Sequence, residues 1–271
     1  METIIYVIIF IIGAFFGSFY TLAIHRIPKK QDIIHTRSYC PNCNQKLGFL
    51  DLFPILSYIF LGGKCKNCKR KISSKYLIIE ILSGATFAIL FYLMKIDLYS
   101  ISIMQICEYV FFALFITFIF LTAGIDKENR KVEKSVSVYG IIISLMYTAY
   151  LCIVEKANIY RYAIYIVLYI IVLLADTIAL KKYAKTNYIN GILLTLITMA
   201  IFTGEYVLFM TISITLLLLA IYMLFKKVKD LSNRNLKTDK KIFRNLKIVF
   251  ALNISNIISM LGILIYINVI R

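Results

Sequence analysis

Apolar runs of membrane-spanning length occupy most of this chain and leave few folds open to it. They fall at 3–24, 76–94, 101–123, 136–154, 160–180, 189–203, 205–225 and 248–270, and most match the roughly 17–25 residues that a helix needs to cross a bilayer. The sixth is short and relatively polar, and the fifth contains Asp176. Hydrophobic residues make up 61% of the chain and charged residues 17%, against roughly 25% charged in soluble domains. A soluble chain this apolar could not cover itself with polar surface. The sequence therefore reads as an all-α polytopic membrane protein with about eight transmembrane helices. The first run has no basic leader and no A-x-A-like site after it, so it reads as a retained helix and not a signal peptide.

The basic residues set the expected orientation. Loops 25–75, 124–135, 181–188 and 226–247 hold 27 of the 31 Lys and Arg residues. The positive-inside rule puts those loops in the cytoplasm and both termini outside an inner or plasma membrane. Three parts follow: a first helix at 1–24, a small cytoplasmic segment at 25–75, and a helical bundle at 76–271 with a basic linker at 226–247. The net charge of +17 is accounted for by this bias and by attraction to anionic headgroups. No aromatic residues interleave the basic ones on a soluble fold, so nucleic acid is not an expected partner. The 20 tyrosines suit interfacial anchoring in a chain without tryptophan.

The loop at 25–75 holds CPNCNQKLGFLDLFPILSYIFLGGKCKNCKRKIS. Cys40 and Cys43 form one C-x2-C and Cys65 and Cys68 another. Two such turns can complete a four-sulfur shell around zinc. Disulfides are the competing reading, and a reducing cytoplasmic face disfavours them. With four protein sulfurs no position is left for a substrate water, so the site is expected to be structural. Cys107 and Cys152 sit alone in apolar spans and read as core residues.

These residues resemble a known family. GSFYTLAIHRIP (17–28), the segment 40–84 and AGIDKENRKVEKSV (123–136) are similar to the prepilin peptidases, the type IV leader peptidases. The resemblance implies a membrane aspartic endopeptidase that cuts the basic leader from prepilins and pseudopilins at the cytoplasmic membrane face. It also implies S-adenosylmethionine as methyl donor where the new N-terminus is methylated. In such a site two close carboxylates share one proton, one serving as base on water and the other as acid. Asp126 matches the family's first catalytic aspartate.

The second motif of the family, G-x-G-D-x-K-L, does not occur in this sequence. Helix order puts Asn190 at the position of its aspartate, Asn187 and Ile189 near the glycines, and Leu193 or Leu194 near the lysine. Asparagine cannot share a proton. Asp176 is the alternative second acid, because an ionisable residue inside a span is a functional candidate. It reads equally as a membrane-edge aspartate that pairs with Lys181 or reaches water. Glu80 matches a family glutamate, against an ion pair with Lys75 or Arg70. Glu128 and Glu133 read as solvated. His25 and His35 lack metal-ligand spacing, and His25 reads as packing or substrate contact. Two readings follow from the resemblance: an active leader peptidase, or an impaired paralogue that binds prepilins or assists pilus or secretion assembly. A small transporter gives no role to the paired C-x2-C turns.

Overall fold

The computed structural model describes residues 2–40, 42–48, 50–96, 102–154, 159–183, 188–232 and 247–270. Helices carry the chain: α1 (Glu2–Arg26), α2 (Leu56–Phe60), α3 (Lys75–Leu93), α4 (Ile103–Asn129), α5 (Lys134–Val154), α6 (Ile159–Tyr183), α7 (Tyr188–Ser232) and α8 (Ile248–Ile270). Among the described residues, six of these are long and apolar enough to cross a membrane. One of the six, Tyr188–Phe225, covers the sixth and seventh expected spans. It is broken at Gly204 (φ 79°, ψ 175°), a backbone conformation essentially restricted to glycine. The fifth expected span corresponds to a shorter apolar helix, Tyr162–Ala175.

The chain divides into two compact units, Met1–Thr117 and Phe118–Arg271. In the first, α1 and α3 pack so closely that small residues are obligatory. A Cβ on Gly17 would lie 2.7 Å from the Cα of Glu80, and one on Gly84 would lie 2.8 Å from the carbonyl of Phe10. Close helix approach of this kind is how apolar helices associate without a hydrophobic driving force. Ser83 Oγ donates to the carbonyl of Gly13 at 2.7 Å, and the buried Tyr20 and Thr117 hydroxyls lie 2.8 Å apart.

The second unit is held by buried polar bonds as well as packing. Thr122 Oγ1 donates to Asn253 Oδ1 at 3.0 Å, linking α4 to α8. Asn256 Nδ2 donates to Thr211 Oγ1 at 3.2 Å, linking α8 to α7. Tyr169 Oη donates to the carbonyl of Ser137 at 2.8 Å, joining α6 to α5. Ile141, Tyr162, Tyr169, Leu194 and Ile201 form an apolar cluster among α5, α6 and α7. A Cβ on Gly191 would meet Val132 Cβ at 2.7 Å, so the first turn of α7 lies against the α4–α5 turn.

Candidate functional site

The two C-x2-C turns fold alike. Cys40 N–H donates to the carbonyl of Gln45, and Asn44 N–H to the carbonyl of Cys40. In the second turn Cys65 N–H donates to Arg70 and Lys69 N–H to Cys65. Asn44 and Lys69 hold matching left-handed conformations, at φ 55° and 58°. An isolated antiparallel bridge closes each turn, Tyr39 with Lys46 and Lys64 with Lys71. The turns thus repeat at an interval of 25 residues.

All four sulfurs lie within 4.8 Å of one another, and Cys40 Sγ is 3.9 Å from Cys68 Sγ. Tetrahedral zinc with ligands at about 2.3 Å places its sulfurs about 3.8 Å apart, so the cluster can hold such an ion. Each turn also braces the other. Asn42 Nδ2 donates to Cys68 Sγ at 3.5 Å, and Asn67 Nδ2 donates to Cys43 Sγ at 3.8 Å. Arg70 Nη1 donates to Asn42 Oδ1 and fixes that amide with its nitrogen toward sulfur. The Asn42 amide and the backbone N–H of Arg70 pull the Cys68 thiol down to about 6. A thiolate is the form that binds metal.

Beside the turns, Glu80 is buried. Its Oε2 accepts the backbone N–H of Ile55 at 2.8 Å, in place of the expected ion pair with Lys75 or Arg70. Arg26, also buried, donates to the carbonyls of Asp32, Thr36 and Arg37 at 2.8–3.2 Å and folds the chain back where it leaves α1. His25 is exposed and lies 2.8 Å from Lys29 Nζ. His35 is exposed and pairs with Asp32 at 3.2 Å.

Asp126 lies in the last turn of α4 and is fully buried. Two partners hold its carboxylate. Tyr188 Oη donates to Oδ1 at 2.7 Å, and the backbone N–H of Phe250 donates to Oδ2 at 2.8 Å. The same phenol oxygen accepts the N–H groups of Ile248 at 3.0 Å and Val249 at 3.3 Å. Lys247 accepts the first helical bond of α8 through its carbonyl, which makes it the N-cap residue. Lysine offers no side-chain acceptor for the amides that a helix start leaves open. Asp126 and Tyr188 supply those acceptors from two other helices, in the role an N-cap side chain normally plays.

Cations surround this junction. Arg130 lies 5.2 Å from the centre of the Tyr188 ring and Lys127 lies 4.9 Å from that of Phe250. Arg130 itself turns left-handed, at φ 50°, and its N–H donates to the carbonyl of Asp126 to end α4. As arranged, the carboxylate has a phenol on one oxygen and an amide on the other. It can accept a proton, and the phenol can donate a hydrogen bond, but a shared proton needs a second carboxyl group.

Asn190 is half-buried one helical step into α7. Among the described residues no hydrogen bond joins it to Asp126; Tyr188, two residues earlier, makes that contact. Ile189 and Leu193 are exposed and Leu194 is buried. The side chain of Asp176 and the whole of Asn187 lie outside the described residues. Glu128 is exposed, and Glu133 forms a 2.7 Å ion pair with Lys131. Sequence reasoning missed Tyr188, the amides of Ile248–Phe250, Arg26 and the two asparagines. Only the asparagines left a signal, a C-x-N-C repeated at 40–43 and 65–68.

Residues 11–94 match the model of the Bacterial Peptidase A24 N-terminal domain. That match covers both cysteine turns and Glu80, and it stops short of Asp126. The chain is 46% identical over 81 residues to the prepilin leader peptidase/N-methyltransferase of Bacillus subtilis (strain 168), covering 30% of this chain and 33% of that protein. It is 38% identical over 89 residues to the protein of the same name from Vibrio cholerae serotype O1, covering 30% and 35%. It is 34% identical over 92 residues to that of Klebsiella pneumoniae, covering 32% and 40%. The matches span about a third of the length of these relatives. They are narrower than the motif resemblance, whose segments run from residue 17 to residue 136. No solved structure matches.

Proposed function

We propose that this chain is a leader peptidase for prepilins or pseudopilins, with Asp126 as one reacting carboxylate. The observation that carries this reading is the placement of Asp126. It is a fully buried acid at the charged end of a membrane-spanning helix, where the leader of a membrane-anchored substrate would meet the protein. The names of the relatives and the match to the A24 N-terminal domain support the same class. In this reading Asp126 takes a proton from water as that water attacks the scissile carbonyl. Asp176 is the second acid, and zinc in the four-cysteine cluster is structural. The cysteine turns face the cytoplasm and both termini lie outside. Transfer of a methyl group from S-adenosylmethionine to the new N-terminus belongs to the reading through the relatives' names, with no residue assigned to it.

One observation favours a second reading, a paralogue that binds leaders without cutting them. Among the described residues Tyr188, and no carboxyl group, lies beside Asp126. Leader cleavage in membranes of cells co-expressing a prepilin separates the two. Cleavage by wild type, lost in both Asp126→Asn and Asp176→Asn, supports the peptidase. No cleavage by wild type, with cleavage by Tyr188→Asp, supports the binding paralogue. Cleavage that persists in Asp126→Asn removes Asp126 from the chemistry.

A further inference from the structure

We propose that residues 50–61, between the two cysteine turns, form a re-entrant foot whose apolar face lies in the lipid of the leaflet beside the turns. Sequence reasoning placed this stretch in the cytoplasmic loop 25–75 on the count of basic residues. Its contacts place it deeper. Phe53 packs edge-on against Phe15 of α1, with ring centres 5.1 Å apart. Phe15 lies eleven residues before the end of α1 at Arg26, which is about 16 Å along a helix at 1.5 Å per residue. Ile55 N–H reaches Glu80, which lies five residues into α3, about 8 Å from its start. At this level α1 and α3 present Phe19, Ile78 and Leu82 as exposed side chains, as lipid-facing helix surfaces do.

The segment is built for that depth. Within α2, Leu56, Ile59 and Phe60 fall at i, i+3 and i+4, one helical face, and all three are exposed, Phe60 at 83% and Ile59 at 61%, as is Leu52 before the turn. Pro54 is buried beneath them. Non-helical backbone at membrane depth is tolerated only where its polar groups are satisfied. Pro54 carries no N–H. The N–H of Ile55 goes to the Glu80 carboxylate, and that of Leu56 turns back to the Pro54 carbonyl at 2.6 Å. The N–H groups of Ser57 and Ile59 go to Phe53 and Ile55. The Leu56 bond closes a tight three-residue turn on Ile55, at φ 64° and ψ −54°, a strained conformation for a β-branched residue. The turn points the apolar face of α2 outward. Exposed Lys64, Lys66, Lys69 and Lys71 follow at once and suit anionic headgroups. A short apolar face with a basic flank is the pattern of a segment lying in the membrane interface.

Because the chain contains no tryptophan, a single one reports on its own surroundings. Phe60→Trp, purified and reconstituted in vesicles with anionic lipid, is measured for emission and for quenching by brominated lipid and by aqueous iodide. Tyr39→Trp on the first cysteine turn is the comparison, and metal content checks that both variants fold. Blue-shifted emission from Phe60→Trp, quenched by brominated lipid and protected from iodide, is the expected result. Quenching by iodide as complete as in Tyr39→Trp overturns the proposal. Protection from both quenchers overturns it in favour of a protein cover. Ile59→Trp repeats the measurement if Phe60→Trp loses its metal.

Discussion

Replacing Tyr188 with phenylalanine should loosen the start of α8 while leaving its packing intact. The substitution removes one oxygen and keeps the ring, so Arg130 retains its aromatic neighbour at 5.2 Å. Three hydrogen bonds disappear: the 2.7 Å bond to Asp126, and those from Ile248 and Val249. A bond to a carboxylate contributes about 1.5–3 kcal/mol. Loss of an N-cap acceptor costs about 1 kcal/mol. Their sum, about 2.5–4 kcal/mol, corresponds to a roughly 60- to 700-fold change in an opening equilibrium. Amide hydrogen exchange in nanodiscs reads this directly. Protection at Ile248, Val249 and Phe250 should fall by that factor, with the middle of α8 much less affected. Unchanged exchange at those three amides would refute the claim that Asp126 and Tyr188 cap the helix.

Further outcomes follow from the same contacts. The purified chain should bind about one zinc, Cys40→Ser should lose it, and metal analysis checks both. Asn67→Ala should speed zinc release to a chelator while leaving the stoichiometry at one, because it removes a donor to Cys43 without touching a ligand; losing a hydrogen bond to a metal ligand costs about 10- to 100-fold in affinity. Zinc affinity should fall as pH drops through about 6, where the lowered Cys68 thiol regains its proton. The sign follows because a depressed pKa favours the thiolate above it, and protons compete with metal below it. Glu80→Ala should destabilise the first unit by about 1–3 kcal/mol, since it removes the charged acceptor of the Ile55 N–H. Glu80→Gln keeps an oxygen there and should recover most of the loss in thermal unfolding.

The helical class, the four-cysteine cluster and the candidacy of Asp126 were legible because each rests on a local signal. Apolar run length, paired C-x2-C spacing and an acid at the edge of an apolar run are all read within a few residues. What surrounds Asp126 is not local. Its partners lie 62 and 124 residues away. One is a tyrosine among 20 that read as interfacial anchors, and the other is a backbone amide, invisible to residue type. Lys247 gives no capping signal, so nothing in the sequence of α8 shows that its first turn needs an outside acceptor. The contact from α7 was hidden for a related reason. Motif alignment by helix order points to Asn190, while the close approach of Gly191 to Val132 brings Tyr188 to the carboxylate. The contacts of the segment at 50–61 were likewise out of reach, because Phe15 and Glu80 lie on other helices.

The capping role changes how variants of Asp126 must be read. Asp126→Ala removes both acceptors at once, so loss of leader cleavage in that variant could come from a frayed α8 alone. Asp126→Asn is the better variant, for a reason visible in the geometry. Its amide can keep the oxygen toward the Phe250 N–H, the one partner that can only donate. The amide nitrogen then faces Tyr188, whose hydroxyl can accept as well as donate. Because the phenol oxygen already accepts the N–H groups of Ile248 and Val249, the bond between residue 126 and Tyr188 is weakened, but the Phe250 half of the cap is kept and the carboxylate's proton chemistry is gone. Exchange at Phe250 should therefore stay protected in Asp126→Asn and collapse in Asp126→Ala. If both collapse alike, the amide oxygen at position 126 does not hold the Phe250 N–H, and cleavage in Asp126→Asn measures the integrity of α8 and not the chemistry of the acid.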